Sequence, residues 1–184
     1  MPYSLLYDNE LFYLFLKGDK KALAYIYKKQ YRLLLAYGIK LCNDPELVRD
    51  CIQDLFVKLH TNRSNLSETI NINTYLICAL KHRLFKEVSS SVQMETIEDF
   101  LFDFTADEEF FDRFVDNDEE WMQKKKLEKA IKLLSSRQKE AIYLRFIRDL
   151  SYEEIGEVLG INYQSSKNLV SRTLIKLREF YLSL

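Results

Sequence analysis

LSYEEIGEVLGINYQSSKNLVSR, residues 150–172, holds the pattern from which the fold can be argued. Its apolar residues recur at helical spacing in two short runs. Ile155, Val158 and Leu159 make the inward side of the first run, and Ser166, Val170 and Leu174 that of the second. Ser151, with Glu154 three residues on, is a capping box: hydroxyl and carboxylate satisfy backbone N–H groups that lack a partner at a helix start. Gly160 falls between the runs, where a left-handed backbone closes a helix. Ile161 fills the gap, and Asn162 can cap the second run. The spacing predicts helices over 152–159 and 163–181 joined by a tight turn, which is a helix-turn-helix.

In that motif the second helix enters the major groove, and its N-terminal side chains meet base edges. Here those are Tyr163, Gln164, Ser165, Lys167 and Asn168. Gln and Asn can pair bidentately with adenine, and Lys can meet guanine. Arg172 and Lys176 lie further along, better placed for phosphates. Upstream, Ser135 and Gln138 form a second capping box that opens a helix over 136–147. Arg137 and Lys139 in its first turn can reach backbone phosphate. The bland alternative is a helical hairpin whose polar face meets only water. The small Ser166, the glycine turn, the two capping boxes and the basic second helix together favour DNA.

On the N-terminal side of this motif, further helices are expected over about 8–17, 20–41, 45–61, 73–88 and 121–133. Leu11, Phe12, Phe15 and Leu16 stripe the first; Leu23, Ile26, Tyr27, Leu34 and Tyr37 line the second. Asp44-Pro45 is a stop and restart, with Asp44 as cap and Pro45 where a missing N–H costs nothing. Leu47, Val48, Cys51, Ile52, Leu55, Phe56 and Leu59 give the third helix an apolar face. Residues 62–72 are polar and read as a loop. With four glycines and two prolines in 184 residues, turns between strands are hard to supply. The fold class is therefore all-α: two small helical domains, 1–88 and 121–184, joined by a linker over 89–120.

Net charge is −1, but its distribution is uneven. Residues 1–86 sum to +5, residues 87–120 to −12 and residues 121–184 to +6. Two basic modules with an acidic segment between them suggest a nucleic-acid partner for the ends. The acidic segment alternates carboxylates with phenylalanines, a composition that either orders on a partner or packs as a short amphipathic helix.

Cys42, Cys51 and Cys78 form no CxxC pair, and the histidines are only His60 and His82, so no metal site is expected. An odd cysteine count suits a reducing cytoplasm. No basic, apolar leader and no membrane-length apolar run is evident. Gly-rich phosphate loops and nucleophile motifs are missing as well, which argues against an enzyme, a cofactor or a small-molecule substrate.

These residues resemble a known family. The run LSSRQKEAIYLRF…LSYEEIGEVLGINYQSSKNLVSRTLIKLRE, from Leu134, resembles region 4 of sigma-70 family factors, which reads the minus-35 promoter element. DCIQDLF, from Asp50, resembles the region 2 helix that docks on the polymerase clamp, and NTYLICALKHR, from Asn73, resembles its minus-10 reading helix. Two such regions and a linker resemble the extracytoplasmic-function group. The resemblance implies clamp contacts by Asp50, Gln53 and Asp54. It implies capture of an extruded base by Asn65, Ser67, Asn71 and Asn73, with Tyr75, Lys81, Arg83 and Lys86 along the opened strand. It implies core RNA polymerase and promoter DNA as partners, and an anti-sigma factor, often membrane-anchored, that silences the protein. The chain departs from the family pattern at Tyr75 (usually Trp), at His82 (usually Asn), and at Ser166, where a small aliphatic residue is usual. A free-standing helix-turn-helix regulator is the alternative reading; it needs a dimer surface, and no heptad seam is apparent.

Overall fold

The structure is a computed structural model that describes residues 3–91 and 121–184. Most of the expected acidic linker therefore lies outside the described residues. The described residues fall into two compact units, one within 1–100 and one within 101–184, and all their regular structure is helical.

The first unit contains α1 (Asp8–Leu16), α2 (Lys20–Cys42), α3 (Pro45–Thr61) and α4 (Ile72–Ser91), with short 3₁₀ turns at Tyr3–Leu5 and Arg63–Asn65. Side-chain caps set the starts of α2 and α3. Asp19 accepts from the Lys21 and Ala22 N–H groups at 2.8 and 3.3 Å. Asp44 accepts from those of Glu46 and Leu47 at 3.1 Å, with Pro45 in the first turn. Tyr3 donates from its hydroxyl to Asp19 at 2.5 Å and stacks on Tyr25, pinning the N-terminal turn to α2. That same hydroxyl holds the Asp19 carboxyl below its ordinary range.

Packing is by helical stripes. Leu11, Phe12 and Phe15 of α1 meet Ala22, Ile26, Leu34, Tyr37 and Leu41 of α2, and α3 adds Val48, Ile52, Leu55 and Leu59. Each such side chain fully removed from water contributes about 1.5–3 kcal/mol. Two expectations are corrected. The inward row of α2 runs Ala22, Ile26, Gln30, Leu34, Tyr37, Leu41, so it passes through a buried glutamine that an apolar pattern skips. Tyr27, expected inward, is 39% exposed and sets its ring edge-on against Phe56. The fourth helix also runs beyond its expected end at 88, through Ser91.

The second unit contains α5 (Trp121–Lys132), α6 (Ser136–Phe146), α7 (Tyr152–Leu159) and α8 (Tyr163–Ser183). Ala130, Ile131, Leu134, Ala141, Ile142, Leu144, Ile155 and Val170 are buried, and α8 packs on α5, α6 and α7.

Candidate nucleic-acid interface

Both capping boxes form. The Gln138 N–H donates to Ser135 Oγ at 3.4 Å, while the Ser135 N–H donates to Gln138 Oε1 at 3.1 Å. In the second box, the Glu154 N–H donates to Ser151 Oγ at 3.2 Å and the Ser151 N–H to Glu154 Oε2 at 2.7 Å. Asn162 Oδ1 caps α8 by accepting from the Ser165 N–H at 2.8 Å.

Two glycines make the turn. Gly160 ends α7 with φ +65°, the left-handed conformation that side chains resist. Gly156 faces the returning backbone: the Ile161 N–H donates to its carbonyl at 2.9 Å, and a Cβ there would stand 2.6 Å from the Ile161 carbonyl oxygen. The turn can close this tightly because position 156 carries no side chain.

Ser166 has no exposed surface. Its hydroxyl lies 2.5 Å from the Tyr152 carbonyl and 2.8 Å from the Tyr163 carbonyl, and its one proton can serve either. A hydroxyl in place of an aliphatic residue therefore ties the start of α7 to the start of α8. One turn on, Val170 and Thr173 are buried. Leu174, expected inward, is 41% exposed, and Thr173 holds the inward position instead, with its hydroxyl spent on the Leu169 carbonyl at 2.7 Å.

With α8 anchored on that side, its other side faces water. Tyr163, Gln164, Ser165, Lys167, Asn168 and Arg172 are all exposed, and Lys176 is half-buried with its ammonium over the Phe180 ring. Arg145 lies over the Tyr152 ring, which in turn meets Tyr163 edge-on, a short aromatic stack behind the leading edge of α8. Arg137 is half-buried and donates to the Leu159 carbonyl at 3.4 Å, so one of its donors braces α6 against the end of α7. Lys139 is half-buried too.

In the first unit, Asp50, Gln53 and Asp54 share the exposed face of α3. Asp54 is not a free carboxylate there, because it accepts from Arg83 of α4. Among the residues expected along an opened strand, Tyr75 is half-buried and Lys86 exposed, but Lys81 is only 7% exposed, against the expectation of a surface cation. Arg83 is turned toward α3 by its ion pair.

The expected base-capturing residues divide in the same way. Asn65 and Ser67 are exposed, with Ser67 bonded to Thr69 at 2.8 Å. Asn71 sits at the start of α4 and accepts from the Asn73 and Thr74 N–H groups. Asn73 is held inside: its amide donates to Asp8 at 2.8 Å and accepts from Gln30 at 2.5 Å, while Lys29 pairs with Asp8 at 2.6 Å. Sequence reading missed this network because its members are 43 and 65 residues apart. Asp8, Asn9 and residues 68–73 line an open groove beside it. Among the described residues no cluster suited to a metal ion occurs.

Helix count, caps and the glycine-closed turn together define a helix-turn-helix protein. Known proteins narrow the class. The family model described as Sigma-70, region 4 matches residues 124–177. The RNA polymerase sigma factor SigZ of Bacillus subtilis (strain 168) is 27% identical over 138 residues, 74% of each chain. The RNA polymerase sigma factor YlaC of the same organism is 22% identical over 158 residues, 84% of this chain and 88% of that one. Among solved structures, CnrH in complex with the cytosolic domain of CnrY superposes with a TM-score of 0.59 at 16% identity, covering 96% of this chain and 97% of that one. The sigma factor RpoE in complex with the anti-sigma factor NepR from Bartonella quintana gives 0.52 at 22%, covering 84% and 95%. These two structures share the fold. The chain belongs to the sigma-70 family of RNA polymerase sigma factors, with the two-region organisation of the extracytoplasmic-function group.

Proposed function

We propose that this chain binds core RNA polymerase and directs it to a specific set of promoters. The observation that carries this is the leading edge of α8: six polar or aromatic side chains, all exposed, backed by a buried Ser166 that fixes the helix against α7. In this reading residues 121–184 read the minus-35 element, residues 1–88 dock on polymerase and open the minus-10 region, and residues 89–120 link them. Tyr163, Gln164, Ser165, Lys167 and Asn168 meet base edges, and Arg172, Lys176, Arg137 and Lys139 meet phosphate. Asp50, Gln53 and Asp54 form the docking face. Asn65 and Ser67 hold the extruded base, while Tyr75 and Lys86 flank the strand.

An anti-sigma factor is a proposed partner as well, since RpoE was captured with one. No described helix is long and apolar enough to cross a membrane, and action in the cytoplasm follows from the proposed partner, polymerase.

The test is gel filtration of the full chain with core polymerase, with and without promoter DNA. Co-elution with core supports the reading. A stable dimer that binds DNA and ignores polymerase would support a free-standing regulator instead.

A further inference from the structure

Gln164 and Asn168 stand one turn apart on the exposed side of α8, and Gln164 Nε2 donates to Asn168 Oδ1 at 3.0 Å. A lone glutamine amide has no fixed sense. Its last torsion is broad, and half a turn exchanges Oε1 with Nε2. A groove-facing glutamine therefore offers acceptor and donor in either order.

The bond to Asn168 selects one order. With the glutamine amide reversed, Oε1 would face Oδ1, two acceptors with no proton between them. With the nitrogen held toward Asn168, Oε1 and the second N–H of Nε2 remain unspent, one acceptor beside one donor. Adenine presents the complement in the major groove, an N6 donor beside the N7 acceptor, whereas guanine presents two acceptors.

We propose that Asn168 is a positioning residue that fixes the Gln164 amide for adenine, so that one A·T pair is a specificity determinant of the upstream element. This rests on the placement of α8 in the major groove. A pair spaced i, i+4 can also simply steady its helix; that role would alter stability but leave base preference alone.

The experiment is selection of upstream DNA from a randomised minus-35 window by holoenzyme built from core polymerase and the full chain, with bound and input pools sequenced. The wild type is expected to enrich adenine about tenfold at one position. Gln164→Ala should erase that enrichment. Asn168→Ala should reduce it most of the way to even. Asn168→Asp keeps the acceptor, so it should retain the adenine preference while weakening binding to all sequences alike through its added negative charge. Undiminished enrichment with Asn168→Ala would overturn the proposal, as would loss at a position different from the one Gln164→Ala affects. A wild-type holoenzyme with no upstream preference at all would overturn the groove placement along with it.

Discussion

The Arg83 guanidinium of α4 donates to the Asp54 carboxylate of α3. Arg83 is the more enclosed partner, its side chain 19% exposed against 55% for Asp54, and its buried Nε has no partner among the described residues. The pair joins the proposed polymerase-docking helix to the proposed strand-reading helix. Asp54 thus has a structural task besides any surface contact.

Removing Asp54 strips a half-enclosed cation of its main counter-charge. Asp54→Ala should therefore cost about 1 kcal/mol, with the exposed carboxylate keeping the figure small. Gln53→Ala, one position away and exposed, should stay within about 0.5 kcal/mol of wild type. Urea unfolding of both variants checks this. If Gln53 is part of the docking face, its variant should bind core polymerase more weakly at wild-type stability.

Lys167→Glu places a carboxylate in the middle of the exposed row on α8. It should weaken upstream DNA binding by tenfold or more and lower the salt dependence of the remaining binding, because one fewer phosphate-bound cation is displaced. Competition binding by holoenzyme at several salt concentrations measures both. Unchanged affinity would remove this face of α8 from the groove.

The turn of the helix-turn-helix makes a pair of opposite expectations. At position 156 a methyl group meets a backbone oxygen, so Gly156→Ala should cost about 1–3 kcal/mol through overpacking, although alanine is the better helix former. Ser166→Ala removes a hydroxyl but no volume that the helices need, so its cost should be about 0.5–1.5 kcal/mol, that of one hydrogen bond. Thermal unfolding separates the two.

Local signals carried most of the fold. Asp44-Pro45, Ser135 with Gln138, Ser151 with Glu154, and Asn162 each act within three residues of themselves, and each cap forms where its spacing put it. Gly160 is left-handed for the same kind of reason. Contact at a distance stayed hidden. Nothing near Asn73 reveals that Asp8 and Gln30 will hold its amide, and nothing near Lys81 or Arg83 says that these cations turn inward or toward α3. Leu174 and Thr173 show a subtler limit. Adjacent positions differ by about 100° around a helix, and an apolar pattern favours the leucine, whereas the packing takes the threonine because its hydroxyl is satisfied within the helix.

Burial pushes the Cys51 thiol up to about 11, so at neutral pH it is a protonated core side chain. A thiol reagent at pH 8 should leave Cys51 unlabelled in the native protein and label it on unfolding. The unfolded thiol loses its proton near its ordinary value while the folded one keeps it, so the stability tied to this group declines as pH rises from about 9 toward 11. Cys51→Ala should flatten that decline, measured by urea midpoints across the range.

Run-off transcription is the decisive measurement: core RNA polymerase, alone and with this chain, on a pool of upstream fragments from the source genome. Transcripts beginning at a small set of defined positions, present only when the chain is added and lost with Lys167→Glu, are expected. Start sites that are the same with and without the chain would contradict its assignment as a promoter-selecting subunit.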